Sequence, residues 1–359
     1  MYLRLLKARQ FKNFTESDFE FSPKINAIVG PNGLGKTNLL DAIHYLALSK
    51  SYLNHSDAMN IQFDKDYFLL EGEFYRNHVD EKISCLVRKG QSKQLKRNSK
   101  QYDRLSDHIG QFPVVMISPY DSDLINEGSE VRRKFLDNII SQSDKAYLQH
   151  LLRYNKVLSQ RNALLKYFAA NQTFDADTLG IYDKELIELG EKIFAKRKTF
   201  VEIFAKVFES YYASISEQRE PVKIEYISQL NEHSFDTLLQ NHLPKDRFAQ
   251  HSTAGIHKDD LAFTIFHHPV KKFGSQGQQK SYLIALKLAQ LEVIKQVLNL
   301  TPILLLDDIF DKLDEQRVTQ LIRLVNEARF GQIFVTDTHP GRTEEIVKRI
   351  NEESKIIRI

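Results

Sequence analysis

The stretch Gly30-Pro31-Asn32-Gly33-Leu34-Gly35-Lys36-Thr37 decides the fold of this 359-residue chain. It follows the apolar run Asn26–Val29 and precedes a segment with helical spacing, the setting that a phosphate-binding loop requires. Glycines in such a loop let backbone N–H groups converge on phosphate oxygens at the start of a helix. We therefore expect all eight residues to bind ATP, with Lys36 bridging the β- and γ-phosphates and Thr37 offering its hydroxyl to Mg²⁺.

A second stretch ends in two carboxylates. The apolar run Ile303–Leu306 is typical of a buried strand, and Asp307 and Asp308 follow it directly. Asp307 is predicted to hold Mg²⁺ together with Thr37, and Asp308 to act as the general base that polarises the attacking water. Lys36 and Asp308 are thus the candidate catalytic residues. Taken alone, the same pattern also fits a strand followed by a helix cap.

A third stretch, Phe273–Lys280, places Ser275 and Gly277 at the start of a predicted helix, where free backbone amides form another anion site. Two such helix starts cannot serve the same phosphates within one copy. We therefore expect Ser275 and Gly277 to contact the γ-phosphate of ATP held by a second copy, which makes the ATP-bound form a homodimer. An ordinary N-cap is the alternative for Ser275.

Composition and charge favour a soluble cytoplasmic protein. The formal net charge is +3 although Lys and Arg total 50, so a nucleic-acid footprint must be a local patch. The only cysteine, Cys85, lies in an alternating apolar stretch and is expected to be a buried thiol in a reducing compartment. No apolar run approaches the length of a membrane span, and no membrane partner is expected.

The order of segments predicts an α/β protein with an inserted helical domain. Residues 1–125 and 221–359 read as the two parts of an ATPase head, whose mixed sheet is built from both chain ends. Residues 126–220 read as a helical arm, with a polar connection at Asn171–Asp177. In its second half a heptad seam is broken only at Lys196; its members are Tyr182, Leu186, Leu189, Ile193, Phe200, Ile203 and Val207. A projecting coiled coil and a helical subdomain with an ordinary core both remain open.

Several segments resemble one protein family. Gly274–Lys280 resembles the signature motif of ABC-type ATPases in the variant found in RecF proteins, and Asp307–Arg317 resembles their magnesium strand and D-loop. Three more segments are similar to the same family: Phe11–Phe14, Gly128–Asp137 and Ala254–Leu261. The resemblance covers nearly the whole chain and implies an ABC-type ATPase head.

RecF proteins are cytoplasmic, ATP-dependent DNA-binding dimers, and the resemblance implies the same function here. It implies a role in DNA replication, recombinational repair, replication restart and the SOS response, with RecR, RecO and RecA loading at gapped DNA. Asp308 stands where most ABC ATPases carry glutamate, as in other RecF proteins. Two further departures favour a slow ATPase. No clear counterpart of the usual glutamine occurs near Ile117–Asp121, and His339, the candidate for the switch histidine, falls one residue later than expected.

A basic segment is the predicted contact with double-stranded or gapped DNA. Within Lys82–Arg104, the candidates are Lys89, Lys93, Lys96 and Arg97. Such a run would neutralise phosphates without reading sequence. The alternative is a solvated hairpin face. Arg132 and Arg133 are weaker candidates that would equally brace the helical arm.

Two rival functions are tested by spacing. A transporter ATPase subunit would place the signature roughly a hundred residues after the phosphate loop, whereas Lys36 and Ser275 here are 239 positions apart, from residue 36 to residue 275. An SMC-like structural or nuclease-associated protein would need a far longer coiled coil than residues 130–216 provide.

Overall fold

The phosphate-binding loop lies between a buried strand and a buried helix. In the computed structural model, which describes residues 1–216, 220–308, 331–338 and 354–359, all five residues of the strand Ile25–Val29 are buried. The chain then turns through the loop and enters the helix Lys36–Leu48, most of which is also buried. The predicted strand–loop–helix order is confirmed.

The elements alternate between strands and helices. The strands are β1 (Tyr2–Phe11), β2 (Phe14–Glu20), β3 (Ile25–Val29), β4 (Tyr67–Arg76), β5 (Val79–Arg88), β6 (Gln94–Arg97), β7 (Lys100–Gln101), β8 (Val114–Ile117), β9 (Val222–Ile227), β10 (Asp260–Ile265), β11 (His268–Pro269), β12 (Ile303–Leu306), β13 (Ile333–Asp337) and β14 (Ser354–Arg358). The helices are α1 (Lys36–Leu48), α2 (Asp123–Asn126), α3 (Ser129–Ser143), α4 (Lys145–Asn171), α5 (Ala176–Ser216), α6 (Phe235–Ala249), α7 (Val270–Phe273) and α8 (Gln276–Leu298).

The first compact unit comprises Met1–Ser122, Ser214–Gln218 and Lys280–Ile359. Its central sheet has the order β14-β3-β13-β12-β8 and is parallel throughout, so it joins strands from both ends of the chain. A separate antiparallel sheet has the order β2-β1-β4-β5-β6-β7. The predicted α/β head with strands from both chain ends is confirmed, and the expected mixture of strand directions is divided between two sheets.

One apolar core lies between the two sheets and α1. The rings of Phe21 and Phe334 meet edge to face at 4.8 Å, and Phe11 packs the same way on Phe68 at 5.1 Å. Cys85 points into this core and is fully buried, as expected. Desolvation raises the pKa of its thiol to about 12, so Cys85 is an inert packing residue.

The second compact unit comprises Asp123–Ala213 and Arg219–Gln279. The strands β9, β10 and β11 form their own antiparallel sheet, and β10 packs on α3. Of residues 221–359, which the sequence assigned to the ATPase head, residues 221–279 group with this unit and the rest group with the first. The physical reason is that β9 and β10 pair with each other and β10 packs on α3.

The helices of this unit pack around an ordinary globular core. Phe235 on α6 lies against Tyr154 on α4, and the backbone at Gly255 closely approaches the Phe235 ring. A Cβ at Gly255, whose φ is +124°, would fall 2.6 Å from the Phe235 ring. The hairpin of α4 and α5, joined near the expected polar connection, thus belongs to a helical subdomain rather than to a free coiled coil.

The predicted heptad seam is wrong beyond Phe200, which is still buried as expected. Ile203 is 53% exposed, while Phe204 and Phe208 are buried in its place, because α5 packs on the subdomain with the ordinary 3.6-residue period. At the apparent break, Lys196 faces out and Arg197 is buried.

Candidate nucleotide-binding site

The phosphate-binding loop is shaped by glycine and braced by the β1–β2 turn. Gly35, the N-cap of α1, has a φ of 107°, and a Cβ there would lie 2.4 Å from the Asn13 side chain. Asn13 in turn donates to the Leu34 carbonyl at 2.9 Å and accepts from Asn38 at 2.7 Å. The conformation of the loop is therefore stabilised by Asn13, which lies outside the loop.

Lys36 points back into the concave side of the loop. Its ammonium donates to the carbonyls of Gly30 at 2.6 Å and Pro31 at 2.9 Å, and the side chain is mostly buried. A fixed positive charge among backbone N–H groups suits the β- and γ-phosphates of a nucleotide.

Thr37 and Asp307 meet although 270 positions separate them in the chain. The Thr37 hydroxyl donates to Asp307 Oδ1 at 3.0 Å, and the Thr336 hydroxyl donates to the same oxygen at 2.8 Å. Asp307 is 3% exposed at the end of β12. Burial raises the pKa of this carboxyl above its ordinary value, while the two threonine hydroxyls act in the opposite direction.

Asp308 adopts a left-handed backbone conformation, with φ of 49°. Its backbone N–H donates to Thr336 Oγ1 at 2.9 Å, so one threonine hydroxyl fixes both aspartates. Non-glycine residues at such φ values are uncommon and concentrate at functional sites. Asp308 also lines the cavity beside the loop.

A cavity of about 230 Å³ brings the predicted ATP and metal residues together. It is lined by Asn32, Gly33, Gly35, Lys36, Thr37, Asn38, Asp307, Asp308, Thr336 and Thr338. Within the described parts of the chain, no group of three or more His, Cys, Asp or Glu side chains could hold a metal alone. One hydroxyl and one carboxylate at hydrogen-bond distance fit Mg²⁺, which takes few protein ligands and completes its shell with phosphates and water.

Sequence reasoning missed the residues that support this cavity. Asn13 belongs to the segment Phe11–Phe14, which was noticed only for its resemblance, and Thr336 follows the apolar start of β13. In the same turn as Asn13, Lys12 forms a 2.5 Å ion pair with fully buried Asp41 on α1. These contacts join elements far apart in sequence, so local patterns gave little sign of them.

The region where the usual glutamine was sought holds a buried ion pair. Asp121 pairs with Lys287 at 2.6 Å, accepts from the Ser118 backbone at 2.8 Å and accepts from the Tyr52 hydroxyl. Asp121 also lines a cavity of about 200 Å³ together with Asp307 and Asp308. A fixed loop therefore borders the second side of the two aspartates.

In the second unit, Ser275 is exposed and caps α8. Its hydroxyl accepts from the Gln278 backbone at 3.2 Å, and Gln278 Oε1 accepts from the Ser275 backbone at 2.8 Å. This reciprocal pair is a capping box. Gly277 follows within the first turn. The capping geometry accounts for the serine locally and leaves its γ-phosphate role a prediction.

The basic candidates fall into two pairs. Lys89 is largely exposed, with only a 3.5 Å contact to exposed Asp66, and Lys96 is half-buried. Lys93 is instead committed to the interior: it donates to the Ser49 carbonyl at 2.5 Å and pairs with Asp57 at 2.9 Å.

Arg97 and the weaker candidates Arg132 and Arg133 also bind partners within their own units. Arg97 pairs with buried Glu81 at 2.5 Å. In the second unit, Arg132 forms a double hydrogen bond with Asp260 at 2.6 and 2.9 Å, and Arg133 donates to the Asp259 carbonyl at 2.6 Å. Arg132 and Arg133 thus brace the helical unit.

Two predicted features lie outside the described residues. They are the switch-histidine candidate His339 and the greater part of the D-loop segment Asp307–Arg317. Across the described ranges, the helices are all too short or too polar to cross a membrane.

Comparisons with known proteins agree with this geometry. The chain matches the family described as RecF/RecN/SMC N terminal domain over residues 2–356. The DNA replication and repair protein RecF of Flavobacterium johnsoniae is 54% identical over 359 residues, which is 100% of both chains.

Solved structures show the same fold. The recombination mediator protein RecF-ATP in the RecFOR pathway superposes with a TM-score of 0.88 at 30% identity, covering 94% of this chain and 92% of that one. An Smc head bound to a winged-helix domain of ScpA shares the fold with a TM-score of 0.53 at 16% identity, covering 95% and 90% of the two chains. Since both the family model and a full-length relative match, this chain belongs to the RecF family.

Proposed function

We propose that this chain is an ATP-dependent DNA-binding protein of DNA replication and recombinational repair, in which bound ATP holds two copies together. ATP would act as a timed clamp, and its slow hydrolysis would release the dimer from DNA. The relative named DNA replication and repair protein RecF and the solved RecF-ATP structure support this assignment.

The observation that carries the proposal is the hydrogen bond between Thr37 and Asp307. It brings the phosphate-binding loop and the aspartate pair to one cavity, which also contains Lys36 and Asp308. A buried carboxylate within hydrogen-bond distance of a hydroxyl of the phosphate-binding loop is the arrangement that a magnesium nucleotide requires.

Each residue has a distinct part in this function. Backbone amides of Gly30–Thr37 would bind the phosphates, and Lys36 would turn from the loop carbonyls to the β- and γ-phosphates. Thr37 and Asp307 would hold Mg²⁺, which when bound neutralises phosphate charge. Asp308 would accept the proton of the attacking water.

A second copy would complete the site. Ser275 and Gly277 are exposed or half-exposed at the start of α8, where a capped helix end offers N–H groups and a hydroxyl to an anion. DNA would lie across basic surface that includes Lys89 and Lys96. RecR, with RecO and RecA loading at gaps, is the proposed partner pathway, within DNA repair and the SOS response.

The proposal is tested by DNA binding with and without ATP. Fluorescence anisotropy of a labelled gapped duplex should show binding that tightens on addition of Mg·ATP. Lys36→Ala should lose this tightening, because the phosphates lose their fixed positive charge. Lys355→Ala is the matched control, since Lys355 lies on β14 with an exposed side chain and only a 3.9 Å contact to Glu20. Identical affinity with and without Mg·ATP in the unmodified protein would contradict the proposal.

A further inference from the structure

A cavity of about 550 Å³ lies in the second unit, between the end of α4, its connection to α5 and the last turns of α6. Its apolar lining residues include Leu165, Phe168, Phe174 and Phe248, and Arg247 is its charged member. We name it the α4–α6 cavity. It shares no lining residue with the nucleotide-binding site, so ATP and Mg²⁺ do not account for it.

The floor of the cavity is packed, while its rim is uncovered. Leu165 and Phe168 are buried in a small core with Leu179, and the rings of Phe168 and Phe174 meet edge to face at 5.5 Å. Phe248, near the end of α6, is instead 91% exposed. Burial of such a side chain is favourable. An apolar group of a binding partner would therefore gain contacts here that the unit itself does not make.

Positive charge accompanies this apolar floor. The guanidinium of Arg247 lies 4.1 Å from the centroid of the Phe174 ring, which is the distance of a cation–π contact. Lys166 and Lys245, each next in sequence to a residue that lines the cavity, are both exposed. Within the residues that the structure describes, none of these three cations forms an ion pair. Arg247 is therefore held at the cavity by an aromatic ring, and its N–H donors are available to an acid.

The chain supplies few acids near this charge. The 27 residues of α4 include no aspartate or glutamate but five lysines and arginines, of which Arg153 and Arg161 have acidic partners in the unit. The first acid after α4, Asp175, caps the start of α5: it accepts from the Thr178 hydroxyl at 2.5 Å and from the Thr178 backbone at 3.1 Å. Asp177 is exposed beside it. The remaining excess of positive charge makes an acidic partner the complementary one.

We propose that the α4–α6 cavity binds a short acidic peptide segment of a partner protein. One aromatic side chain of the peptide enters the cavity and packs on Phe248, and carboxylates on either side of it bind Arg247, Lys166 and Lys245. A guanidinium binds a carboxylate through two parallel hydrogen bonds, and aromatic residues and arginine are the usual anchors of protein interfaces.

The shape of the cavity favours a peptide over a nucleic acid. Bases of a single strand stack on open ring faces. Here the guanidinium of Arg247 covers a face of the Phe174 ring, and the rest of the floor is a concave surface that suits one side chain. The inference goes beyond the proposed function, because neither the nucleotide nor DNA takes part in it.

The test measures the fluorescence anisotropy of a labelled peptide, Asp-Glu-Asp-Phe-Asp-Glu-Asp, with the full chain. Phe248→Ser should weaken binding about tenfold or more, because the peptide ring loses its apolar contact. Arg247→Gln should also weaken binding and should reduce its dependence on salt. Ala169→Trp, at an exposed position of α4 that lines the cavity, should block the cavity. All three positions are exposed, so the thermal unfolding midpoint should stay close to that of the unmodified protein.

The controls separate a site from a general attraction between charges. Phe63→Ser changes a phenylalanine that is 89% exposed in the first unit, and it should leave the affinity for the peptide unchanged. A peptide with serine in place of its phenylalanine should bind more weakly, because it lacks the ring. A peptide with asparagine and glutamine in place of its acids should also bind more weakly, because it lacks the charge.

Weaker peptide binding by the three cavity variants, with ATP-dependent DNA binding unchanged, supports the α4–α6 cavity as a peptide site. No binding of the peptide by the unmodified protein, or equal binding by the cavity variants, overturns the proposal. Equal affinity for the peptide without phenylalanine also overturns it, and so does an equal loss with Phe63→Ser. Cavity variants that weaken binding to DNA but not to the peptide would assign the surface to DNA and overturn it as well. The proposed function is tested separately, by the effect of Mg·ATP on DNA binding.

Discussion

The position of Asp308 is determined by its backbone conformation and by a backbone hydrogen bond. Its φ of 49° and its N–H bond to Thr336 hold the carboxylate beside the cavity that contains Thr37 and Asp307. Asparagine is among the few residues that tolerate this conformation, whereas alanine would strain it. The substitution Asp308→Asn therefore removes the basic carboxylate while it keeps the backbone conformation.

We expect Asp308→Asn to lower ATP turnover by about 100-fold or more, the scale on which a positioned base contributes. ATP affinity should change little, because Asp307 and the loop are intact. Single-turnover hydrolysis and equilibrium nucleotide binding measure the two effects. Near-normal turnover with this variant would assign the base to another residue.

At this scale the sequence predicted which residues meet in the cavity better than which residues hold them in place. The eight loop residues and Asp307 carry recognisable patterns because phosphates and Mg²⁺ demand particular atoms at particular spacings. Asn13 and Thr336 act through single hydrogen bonds to distant residues, and an isolated asparagine or threonine carries no such pattern. Lys93 shows the converse, since a lysine in a basic run can be buried against Ser49 and Asp57.

At the scale of elements, β5, β6 and the turn between them carry two kinds of basic residue. Lys89 and Lys96 reach solvent, while Lys93 and Arg97 bind carboxylates of the same unit. The structure thus divides a run that looks uniform in sequence. Within β6, pleating sends Lys96 and Arg97 to opposite faces, and Lys93 just before this strand reaches Asp57.

The double variant Lys89→Gln/Lys96→Gln should weaken binding to every DNA sequence alike. It should flatten the slope of log affinity against log salt by up to about 0.9 per lost contact. The matched double variant Lys93→Gln/Arg97→Gln should instead lower the unfolding midpoint, since Asp57 and Glu81 each lose one of their ion-pair partners. An unaltered salt slope in the first variant would show that the patch is only a solvated face.

The helix α5 shows why its packing could not be read from sequence. Arg197 looks like a polar interruption, yet it is 2% exposed and pairs with Asp137 and Asp259, both at 2.9 Å. Asp137 and Asp259 belong to two of the segments that carried the family resemblance. A buried arginine is tolerated only when its charge is paired. The partners of Arg197 lie about 60 positions away in the chain, so the periodicity of one helix does not reveal them.

At the scale of the whole molecule, each unit contains a histidine with the same pair of hydrogen bonds; His108 is fully buried and His257 is partly buried. His108 donates from Nε2 to the Leu46 carbonyl and accepts from the Tyr102 hydroxyl at Nδ1. His257 does the same with the Ser252 carbonyl and the Tyr154 hydroxyl. Burial lowers the pKa of both imidazoles to about 4.

Stability should therefore fall in mild acid. The unfolded chain takes up protons near the ordinary pKa of 6.5 and the folded chain does not, so the stabilisation is complete above pH 6.5 and is lost as the pH falls toward 4. Each histidine should contribute up to about 1.4 kcal/mol per pH unit in this window. Urea unfolding at pH 7.5, 6 and 5 measures the free energy of unfolding. If that free energy does not change with pH, the imidazoles are accessible to water in the folded chain.

The architecture of the candidate nucleotide site was predictable because the strands that carry its parts, β3 and β12, come from opposite ends of the chain and belong to one parallel sheet. Thr37, at the start of α1 after β3, and Asp307, at the end of β12, meet across 270 positions. Assignment of residues 221–279 to a unit was not predictable, because β9 and β10 look like any other strands of the head. The strands with which β9 and β10 pair determine the unit to which they belong, and a strand's own sequence does not specify its partner.

The most direct measurement of the central claim mixes two inactive variants. Lys36→Ala removes the lysine of the phosphate-binding loop, and Ser275→Arg blocks the helix start that should reach ATP on the other copy. Each alone should lack ATP turnover. In an equal mixture, random pairing would rebuild one intact site in each mixed dimer, so turnover should return to about a quarter of that of the unmodified protein. A mixture that stays inactive, although light scattering shows that Mg·ATP still brings the two variants together, would contradict a site shared between two copies.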